Sequence, residues 1–373
     1  MHDATLFTPS GKLRAAGLGL TFEGKTGVNN SITDVEGVSV GYATIIAGHG
    51  ALKVGSGPVR TGVTALLPRP IGDLCCPVFA GCFSLNGNGE LTGSHYVEEV
   101  GKFALPMTIT NTHSCGTTRD ATIRWAVRRF AETFRESFAL PVAAETYDGF
   151  LNDINGFHVT EEHVFQAIQS ATSGPIEEGS VGGGTGMKCF GFKAGSGTAS
   201  RRVDFDGSWF TVGAFVQANF GGRADLTILG HRVGTELREP RMIRHTPDPE
   251  LSSIIGVIAT DAPLLPHQLK RIARRAALGM GRVGGIARHG SGDIFIAFST
   301  ANAEVLKTEA PVIVNADLIP DEHLDGFFEA TVRSTEEAIL NSLVANDGME
   351  GRDGNFVPAL PHDVIRALVD ARG

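Results

Sequence analysis

The sequence predicts a fold that mixes α-helices and β-strands, of either the α/β or the α+β class. Stretches with strand patterns alternate along the chain with stretches of helical periodicity. Glycine supplies 48 of the 373 residues, well above its usual share of ~7%, and argues against a pure helix bundle. Hydrophobic residues make up 42% and charged residues 20%, so we expect a compact core rather than disorder.

The first half of the chain is predicted to contain short strands and two helices. Branched and small side chains alternate with glycines in the strand stretches, whereas apolar residues recur at helical spacing in the helices. The first helix carries its apolar stripe on Ile123, Ala126, Val127, Phe130 and Phe134. The predicted elements are strands over 32–46, 65–67 and 78–83, a loop over 86–90, a helix over 119–138 and a helix that begins after Thr160.

The second half opens on a predicted β-hairpin, because Asp206-Gly207 joins two strand patterns. Residues 238–250 are charged, contain three prolines and lack periodicity, which indicates an exposed linker. Ser334 and Glu337 suggest a break in the penultimate helix. The predicted elements are strands over 199–205, 209–217, 253–260 and 294–299, helices over 264–280 with Pro263 at the start, 322–345 and 363–371, and a surface loop over 346–355.

Net charge and composition exclude several classes of protein. The formal net charge of −9 argues against a nucleic-acid partner, which requires a basic surface. The sequence has no apolar run near the ~18 residues of a membrane span, and its first 30 residues show no secretory signal. Five cysteines, an odd number with Cys75 and Cys76 adjacent, indicate reduced thiols. We therefore expect a cytoplasmic protein.

Common cofactor and nucleophile motifs do not fit this sequence. The glycine run 182–186 lacks the lysine and hydroxyl spacing of a phosphate loop, so close backbone packing is the better interpretation. No zinc motif has the right spacing, and we predict neither a metal nor another cofactor. The sequence shows no GxSxG nucleophile elbow, because its GVSVG at 37–41 falls inside a predicted strand and not at a strand-to-helix turn. Cys115 precedes a helix, where a thiolate could be stabilised, but a buried thiol is favoured there.

Ser253 differs because it stands where the charged linker meets a buried strand. If the chain were cut just before it, Ser253 would begin a new chain. Its free α-amine, with a pKa of ~7.7–8.0, could then take the proton from its own hydroxyl. The pattern alone leaves this open, because serines often begin strands.

Several long motifs, in the right order, resemble the L-aminopeptidase/D-amidase-esterase family, which includes the β-peptidyl aminopeptidases. The run 253–267 (SIIGVIATDAPLLPH) resembles the start of that family's small subunit. The stretches 34–41 (DVEGVSVG), 179–187 (GSVGGGTGM) and 289–293 (HGSGD) resemble its other signatures. The resemblance extends over nearly the whole chain.

The resemblance implies an α+β fold, a four-layer αββα sandwich similar to Ntn hydrolases but differently connected. It implies one domain, residues 1–373, that cuts itself into a large subunit, 1–252, and a small subunit, 253–373. The activity implied is cofactor-free release of N-terminal amino acids from small peptides, amides and esters. Similar proteins form homo-oligomers, so the expected assembly is a tetramer of processed units.

The resemblance also assigns roles residue by residue. Ser253 matches the nucleophile, and Ser291 with Asp293 matches the pair that orients it. Asn219 matches the residue that binds the oxyanion. Tyr147 joins that site, and Glu145 matches the carboxylate that receives the substrate amine.

One position departs from the family, because Ser252 stands where glycine often precedes the nucleophile. A side chain there could slow or block cleavage, or Ser252 itself could begin the small subunit; Ser253 is favoured because Ile-Ile follows it directly. Two alternative functions stay open. One is an acyltransferase of the related ornithine acetyltransferase type, which uses threonine as nucleophile. The other is an uncleaved, inactive binding protein.

Overall fold

The computed structural model describes residues 3–237, 239–246, 251–307 and 312–370. The strands in these residues are β1 (Ser39–Ala47), β2 (Val59–Leu67), β3 (Val78–Gly87), β4 (Lys102–Phe103), β5 (Met107–Asn111), β6 (Ala143–Thr146), β7 (Lys188–Cys189), β8 (Phe192–Lys193), β9 (Ser196–Phe205), β10 (Ser208–Asn219), β11 (Ser252–Thr260), β12 (Ser291–Ser299), β13 (Met349–Glu350) and β14 (Phe356–Val357). The helices are α1 (Ser94–Val100), α2 (Cys115–Arg129), α3 (Glu161–Gln169), α4 (Pro266–Arg282), α5 (Ala303–Lys307), α6 (Asp325–Val344) and α7 (His362–Asp370).

Two sheets form the centre of the fold. The smaller has the strand order β1-β2-β5-β6, and the larger has the order β4-β3-β12-β11-β10-β9. Neighbouring strands are antiparallel except for β5 with β6 and β11 with β12, which run parallel. The two strands that carry the predicted nucleophile and its orienting pair, β11 and β12, therefore lie side by side in the middle of the larger sheet.

The hydrophobic cores show that the two sheets face each other between two helical layers. In β11, Ile255 and Val257 pack in a core shared with the smaller sheet, whereas Ile254 and Ile258 pack in a core shared with α4 and α6. On the far side of the smaller sheet, residues of α2 and α3 form a third core. This arrangement confirms the predicted α+β class and the αββα sandwich, and strand alternation explains why the central strands are apolar on both faces.

Glycine allows two helices to approach the sheets closely. A Cβ atom on Gly41 of β1 would lie 2.1 Å from the carbonyl oxygen of Ala167 in α3. A Cβ atom on Gly197 of β9 would lie 2.0 Å from the carbonyl oxygen of Ala338 in α6. Both distances are far inside van der Waals contact, so part of the glycine excess serves helix–sheet packing.

The helix predicted over 119–138 was placed too far along the chain. Helix α2 begins four residues earlier, directly after a 3-10 turn over 112–114 that is capped by Asn111, whose Oδ1 accepts a hydrogen bond of 3.1 Å from the Ser114 amide. It ends before Phe130, whose φ of −126° and ψ of 49° are not helical. Val127 of the predicted stripe is 44% exposed, whereas Ala126 of the stripe and the neighbouring Trp125 are buried.

Three further predictions need correction. Helix α6 has no break at Ser334, whose hydroxyl donates to the Thr331 carbonyl within the helix. Helix α4 begins with Pro266 rather than near Pro263. The segment 346–355 is only partly a surface loop, because it contains β13 and the fully buried Asn355.

The predicted hairpin is confirmed, and the linker is confirmed in part. Asp206 and Gly207 have φ of 51° and 74° and join β9 to β10. The described part of the linker, 239–246, is mostly exposed, yet it is fixed because Asn355 Oδ1 accepts a hydrogen bond of 2.9 Å from the His245 amide. Arg238 and 247–250 lie outside the described residues, as does Ala371 of the last predicted helix.

Candidate active site

Three strand ends of the larger sheet converge on Ser253. Strand β10 ends at Asn219, while β11 and β12 begin at Ser252 and Ser291. The registers place Ser253 opposite Asn219 on one side and opposite Gly292 on the other. Strand β6 of the facing sheet packs against β11. Backbone pairing thus gathers residues that are far apart in sequence.

The Ser253 hydroxyl is buried without a hydrogen bond to any described residue. The residue is 4% exposed, and its Oγ has no hydrogen-bond partner among the described residues. By strand alternation its side chain points, like that of Ile255, into the space between the sheets. The side chain of Ser252 must then point the other way. A buried hydroxyl without a partner costs free energy, which is typical of a residue kept for chemistry.

The Asn219 amide is fixed by two backbone contacts. Its Oδ1 accepts a hydrogen bond of 3.1 Å from the Lys188 amide, and its Nδ2 donates over 2.9 Å to the Tyr147 carbonyl oxygen. These two contacts define which end of the side-chain amide is nitrogen. One N–H of Nδ2 remains for another acceptor, and the residue stands directly across the ladder from Ser253.

Tyr147 follows β6 and lies half-buried beside Asn219. Its phenol packs over Gly149, where a Cβ atom would come within 2.4 Å of the Tyr147 Oη. The structure therefore brings Tyr147 into the same group of residues as Asn219, as the sequence predicted.

Glu145 presents a buried carboxylate on β6. It is 4% exposed, accepts a hydrogen bond of 3.0 Å from the Glu90 amide on Oε1, and accepts a short one from the Thr112 hydroxyl on Oε2. Burial raises the pKa of Glu145, and these two hydrogen bonds act in the opposite direction. No described cation forms a salt bridge with it, so the site can still accept a positively charged group.

Ser291 and Asp293 form a buried pair on β12. The Ser291 Oγ donates to the Asp293 Oδ1 over 2.7 Å, and Asp293 Oδ2 is buried without a partner. Burial raises the pKa of Asp293 to about 6. Because the pair alternates with Gly292, it lies on the sheet face of Ser252 rather than on that of the Ser253 side chain. The pair adjoins Ser253, but its predicted hydrogen bond to Ser253 Oγ is not formed.

The sequence did not predict the residues that contact Glu145 and Gly292 and hold them in place. The segment 86–90 was predicted only as a loop, yet its Glu90 amide holds Glu145, and its Asn88 carbonyl packs over Gly292, where a Cβ atom would lie 2.3 Å away. Thr112 carries no recognisable motif. Only the placement of β5 and β6 as parallel neighbours reveals its contact with Glu145.

A cavity of about 860 Å³ opens beside Asn219 and Ser252. Several cations line it, but Arg223 donates to carbonyl groups, including that of Gly191, and Arg288 pairs with Asp225. Asn219 and Ser252 line the cavity, whereas Glu145 does not.

Other candidate sites from the sequence do not gain support. The amides of Gly182 and Gly183 donate to the hydroxyls of Thr44 and Thr64, so they do not form a phosphate cradle. Burial raises the pKa of Cys115 to about 12, which keeps its thiol protonated near neutral pH. In the part of the chain that the structure describes, no cluster of three His, Cys, Asp or Glu could bind a metal ion.

Comparisons with known proteins identify the family of this chain. The model of peptidase family S58 matches residues 30–357. The chain belongs to peptidase family S58. A curated β-peptidyl aminopeptidase from Sphingosinicella microcystinivorans is 52% identical over 95% of this chain and 91% of its own length.

Solved structures of S58-like enzymes share the fold. The L-aminopeptidase D-Ala-esterase/amidase of Ochrobactrum anthropi, described as a variant of the Ntn hydrolase fold, is 49% identical with a TM-score of 0.90, over 96% of this chain and 99% of that one. A Burkholderia β-aminopeptidase is 43% identical with a TM-score of 0.85, over 96% and 98%. The predicted class, a serine aminopeptidase with an Ntn-like fold, is confirmed, and the acyltransferase and binding-protein alternatives are not favoured. No helix among the described residues is long and apolar enough to cross a membrane.

Proposed function

We propose that this S58 peptidase cuts its own Ser252–Ser253 bond and then uses Ser253 as an N-terminal nucleophile to release amino-terminal residues. The observation that carries the proposal is the pairing of Ser253, with its buried and unpartnered hydroxyl, directly opposite Asn219. Ser252 is less suited to the role, because its side chain points away from Asn219. Processing divides the chain into residues 1–252 and 253–373.

Self-cleavage begins with attack of Ser253 Oγ on the carbonyl carbon of Ser252. The free N–H of Asn219 stabilises the oxyanion, a role that is worth ~3–4 kcal/mol where one such donor has been removed. The C–N bond then breaks as the nitrogen of Ser253 takes the proton that Oγ has lost, and an ester joins the two pieces. Water hydrolyses this ester and leaves a free α-amine on Ser253.

In turnover, that α-amine takes the proton from Ser253 Oγ as the hydroxyl attacks the substrate carbonyl. Glu145 receives the substrate's ammonium group, which neutralises a buried carboxylate that has no cationic partner in the described residues. Ser291 and Asp293, on the Ser252 side of β11, hold the new α-amine near the hydroxyl. Collapse of the tetrahedral intermediate gives an acyl-enzyme, which water then hydrolyses.

The substrate class follows from these groups. A free amine is required by Glu145, and the leaving group, whether peptide, amide or ester, extends into the cavity of about 860 Å³. The relatives named for β-peptides and for L-amino and D-alanyl substrates suggest a site that accepts small acyl groups of varied geometry. No cofactor takes part in these steps.

The proposal also includes the oligomeric assembly and the cellular compartment of the enzyme. We place the enzyme in the cytoplasm and expect a tetramer of processed units. A run of exposed apolar side chains supports self-association, because large exposed apolar patches mark interaction surfaces. The run comprises Val312, Ile313, Val314 and Leu318, with Ile313 96% exposed.

Intact mass measurement with N-terminal sequencing tests the proposal. We expect two species, the smaller beginning at Ser253, together with hydrolysis of a small aminoacyl amide that has a free amine. The Ser253→Ala variant should remain one chain and be inactive, while Ser252→Ala should still be cut. Wild-type protein that stays full length and still hydrolyses the aminoacyl amide would overturn the self-processing mechanism.

A further inference from the structure

Lys193 is a lysine enclosed in the protein without an acidic partner. It is fully buried in β8, and its Nζ donates to the carbonyl oxygens of Met187 over 2.8 Å and Ala194 over 2.6 Å. Among the described residues no carboxylate forms a salt bridge with it. Burial of an amino group against carbonyls alone is costly, which sets Lys193 apart from an ordinary core residue.

The carbonyl of Met187 belongs to the same peptide group as the amide of Lys188. That amide donates over 3.1 Å to Asn219 Oδ1. A donor on a peptide oxygen polarises the whole peptide group and strengthens its N–H as a donor, because linked hydrogen bonds reinforce one another. A continuous series of bonds thus runs from Lys193, through one peptide group, to the side-chain amide opposite Ser253.

We propose that Lys193 is a positioning residue that orients and polarises the Asn219 amide through the Met187–Lys188 peptide group. The inference rests on the proposed oxyanion role of Asn219. Donation to Asn219 Oδ1 makes the Nδ2 protons more positive, so the free N–H binds developing negative charge more strongly. The effect reaches the transition state and leaves the binding of the ground-state substrate almost unchanged.

Lys193→Met tests this role, with Lys12→Met as the matched control. Lys12 acts electrostatically on Lys193, but its side chain is 39% exposed and pairs with Asp347 over 3.5 Å. We expect Lys193→Met to lower kcat about tenfold, less than the 10²–10³ loss of a whole oxyanion donor, with KM within about twofold. Lys12→Met should retain full kcat.

A double-mutant cycle separates positioning from general structural damage. The rate of self-cleavage is measured for wild type, Lys193→Met, Asn219→Ala and the double variant. If Lys193 acts through Asn219, its substitution has little further effect once Asn219 is gone. Full additivity of the two losses would overturn the inference.

A spectroscopic measurement distinguishes failure of this inference from failure of the proposed function. The chain has eight lysines, so ¹⁵N-lysine labelling gives a backbone amide spectrum in which Lys188→Arg identifies the Lys188 signal. We expect that proton to move upfield in Lys193→Met and to stay in place in Lys12→Met. An unmoved signal refutes the polarised link, whatever the activity of the protein.

Discussion

Asn219 donates from Nδ2 to the carbonyl oxygen of Tyr147 over 2.9 Å, which links the end of β10 in the larger sheet to the residue after β6 in the smaller. The site therefore lies between the sheets, and its geometry depends on how the sheets pack.

We predict that Asn219→Ala lowers the rate of self-cleavage by about 10²–10³, the usual loss for one oxyanion donor. Timed denaturing gels measure it. Asn219→Asp, which keeps the shape but presents no N–H, should be equally slow; rapid cleavage in either variant would remove Asn219 from this role.

Ser252 begins β11 with extended backbone, and it is absent from the residues with positive φ. An extended backbone accepts any residue, so glycine is not required before Ser253 on conformational grounds. We predict that Ser252→Gly changes the self-cleavage rate by less than about threefold. Pulse-labelled expression followed by gel analysis provides the rates. An increase of more than tenfold would show that the serine side chain impedes cleavage after all.

Glu145 should select substrates with a free amine. We predict that Glu145→Gln raises KM for an aminoacyl amide by about 10- to 100-fold, as expected for loss of a charge-assisted hydrogen bond worth ~1.5–3 kcal/mol. Steady-state kinetics measure the change. Glu90→Gln is the matched control, because it removes a neighbouring charge and keeps the backbone donor to Glu145. Equal increases in KM for the two variants would indicate a general electrostatic attraction by negative charge instead of a specific contact between the substrate amine and Glu145.

Asp293 should confer pH dependence on self-cleavage. With a pKa raised to about 6, the carboxyl gains charge as pH rises through 6 and then accepts the Ser291 proton more strongly. We predict that the self-cleavage rate rises over this range and that Asp293→Asn is nearly flat from pH 5 to 7. The uncut chain lacks the α-amine of Ser253, so that group does not obscure the profile. If the rise in self-cleavage rate with pH persists in Asp293→Asn, a residue other than Asp293 causes it.

The raised pKa of Asp293 also makes the stability of the fold depend on pH. The unfolded carboxyl has a pKa near 3.8, so between that value and 6 the folded state holds the proton more tightly. The contribution of Asp293 to the free energy of unfolding is therefore present at low pH and declines as pH rises to about 6.

Arg14 and Glu178 form a fully buried ion pair, with Nε to Oε2 at 2.6 Å. We predict that Glu178→Ala costs about 3–5 kcal/mol of unfolding free energy, because it leaves a guanidinium buried without its counter-ion. Urea unfolding in the Ser253→Ala background, a single uncut chain, measures the loss. The double variant Arg14→Met/Glu178→Met should recover much of it. A double variant no more stable than Glu178→Ala would contradict this explanation.

Local patterns predicted those features of the fold that depend on a few neighbouring residues. Asp206-Gly207 fixes a hairpin because both residues adopt positive φ. The junction before Ser253 could be recognised because linker and strand compositions differ. The end of α2 could not, since Phe130 continues the apolar pattern although its φ and ψ are not helical.

The site itself depends on pairings between distant segments, which the sequence does not encode locally. The residue types at Asn219, Glu145 and Asp293 were predicted through the family resemblance, and their assigned roles remain predictions. The contact of Thr112 with Glu145 and the bonds of Lys193 to the 187–188 peptide group arise only when the strands are assembled. Neither has a motif, because each is defined by geometry alone.

The place of β11 in its sheet decides what a cut before Ser253 would do to the molecule. Strand β11 is hydrogen-bonded to β10 on one side and β12 on the other, and β3 closes the far side of β12. Two strands of the carboxy-terminal piece would thus lie between strands of the amino-terminal piece. After the cut, neither piece could complete the sheet without the other. Refolding of the uncut chain is first order, whereas recovery of the cut enzyme from denaturant becomes a second-order reaction whose yield depends on dilution.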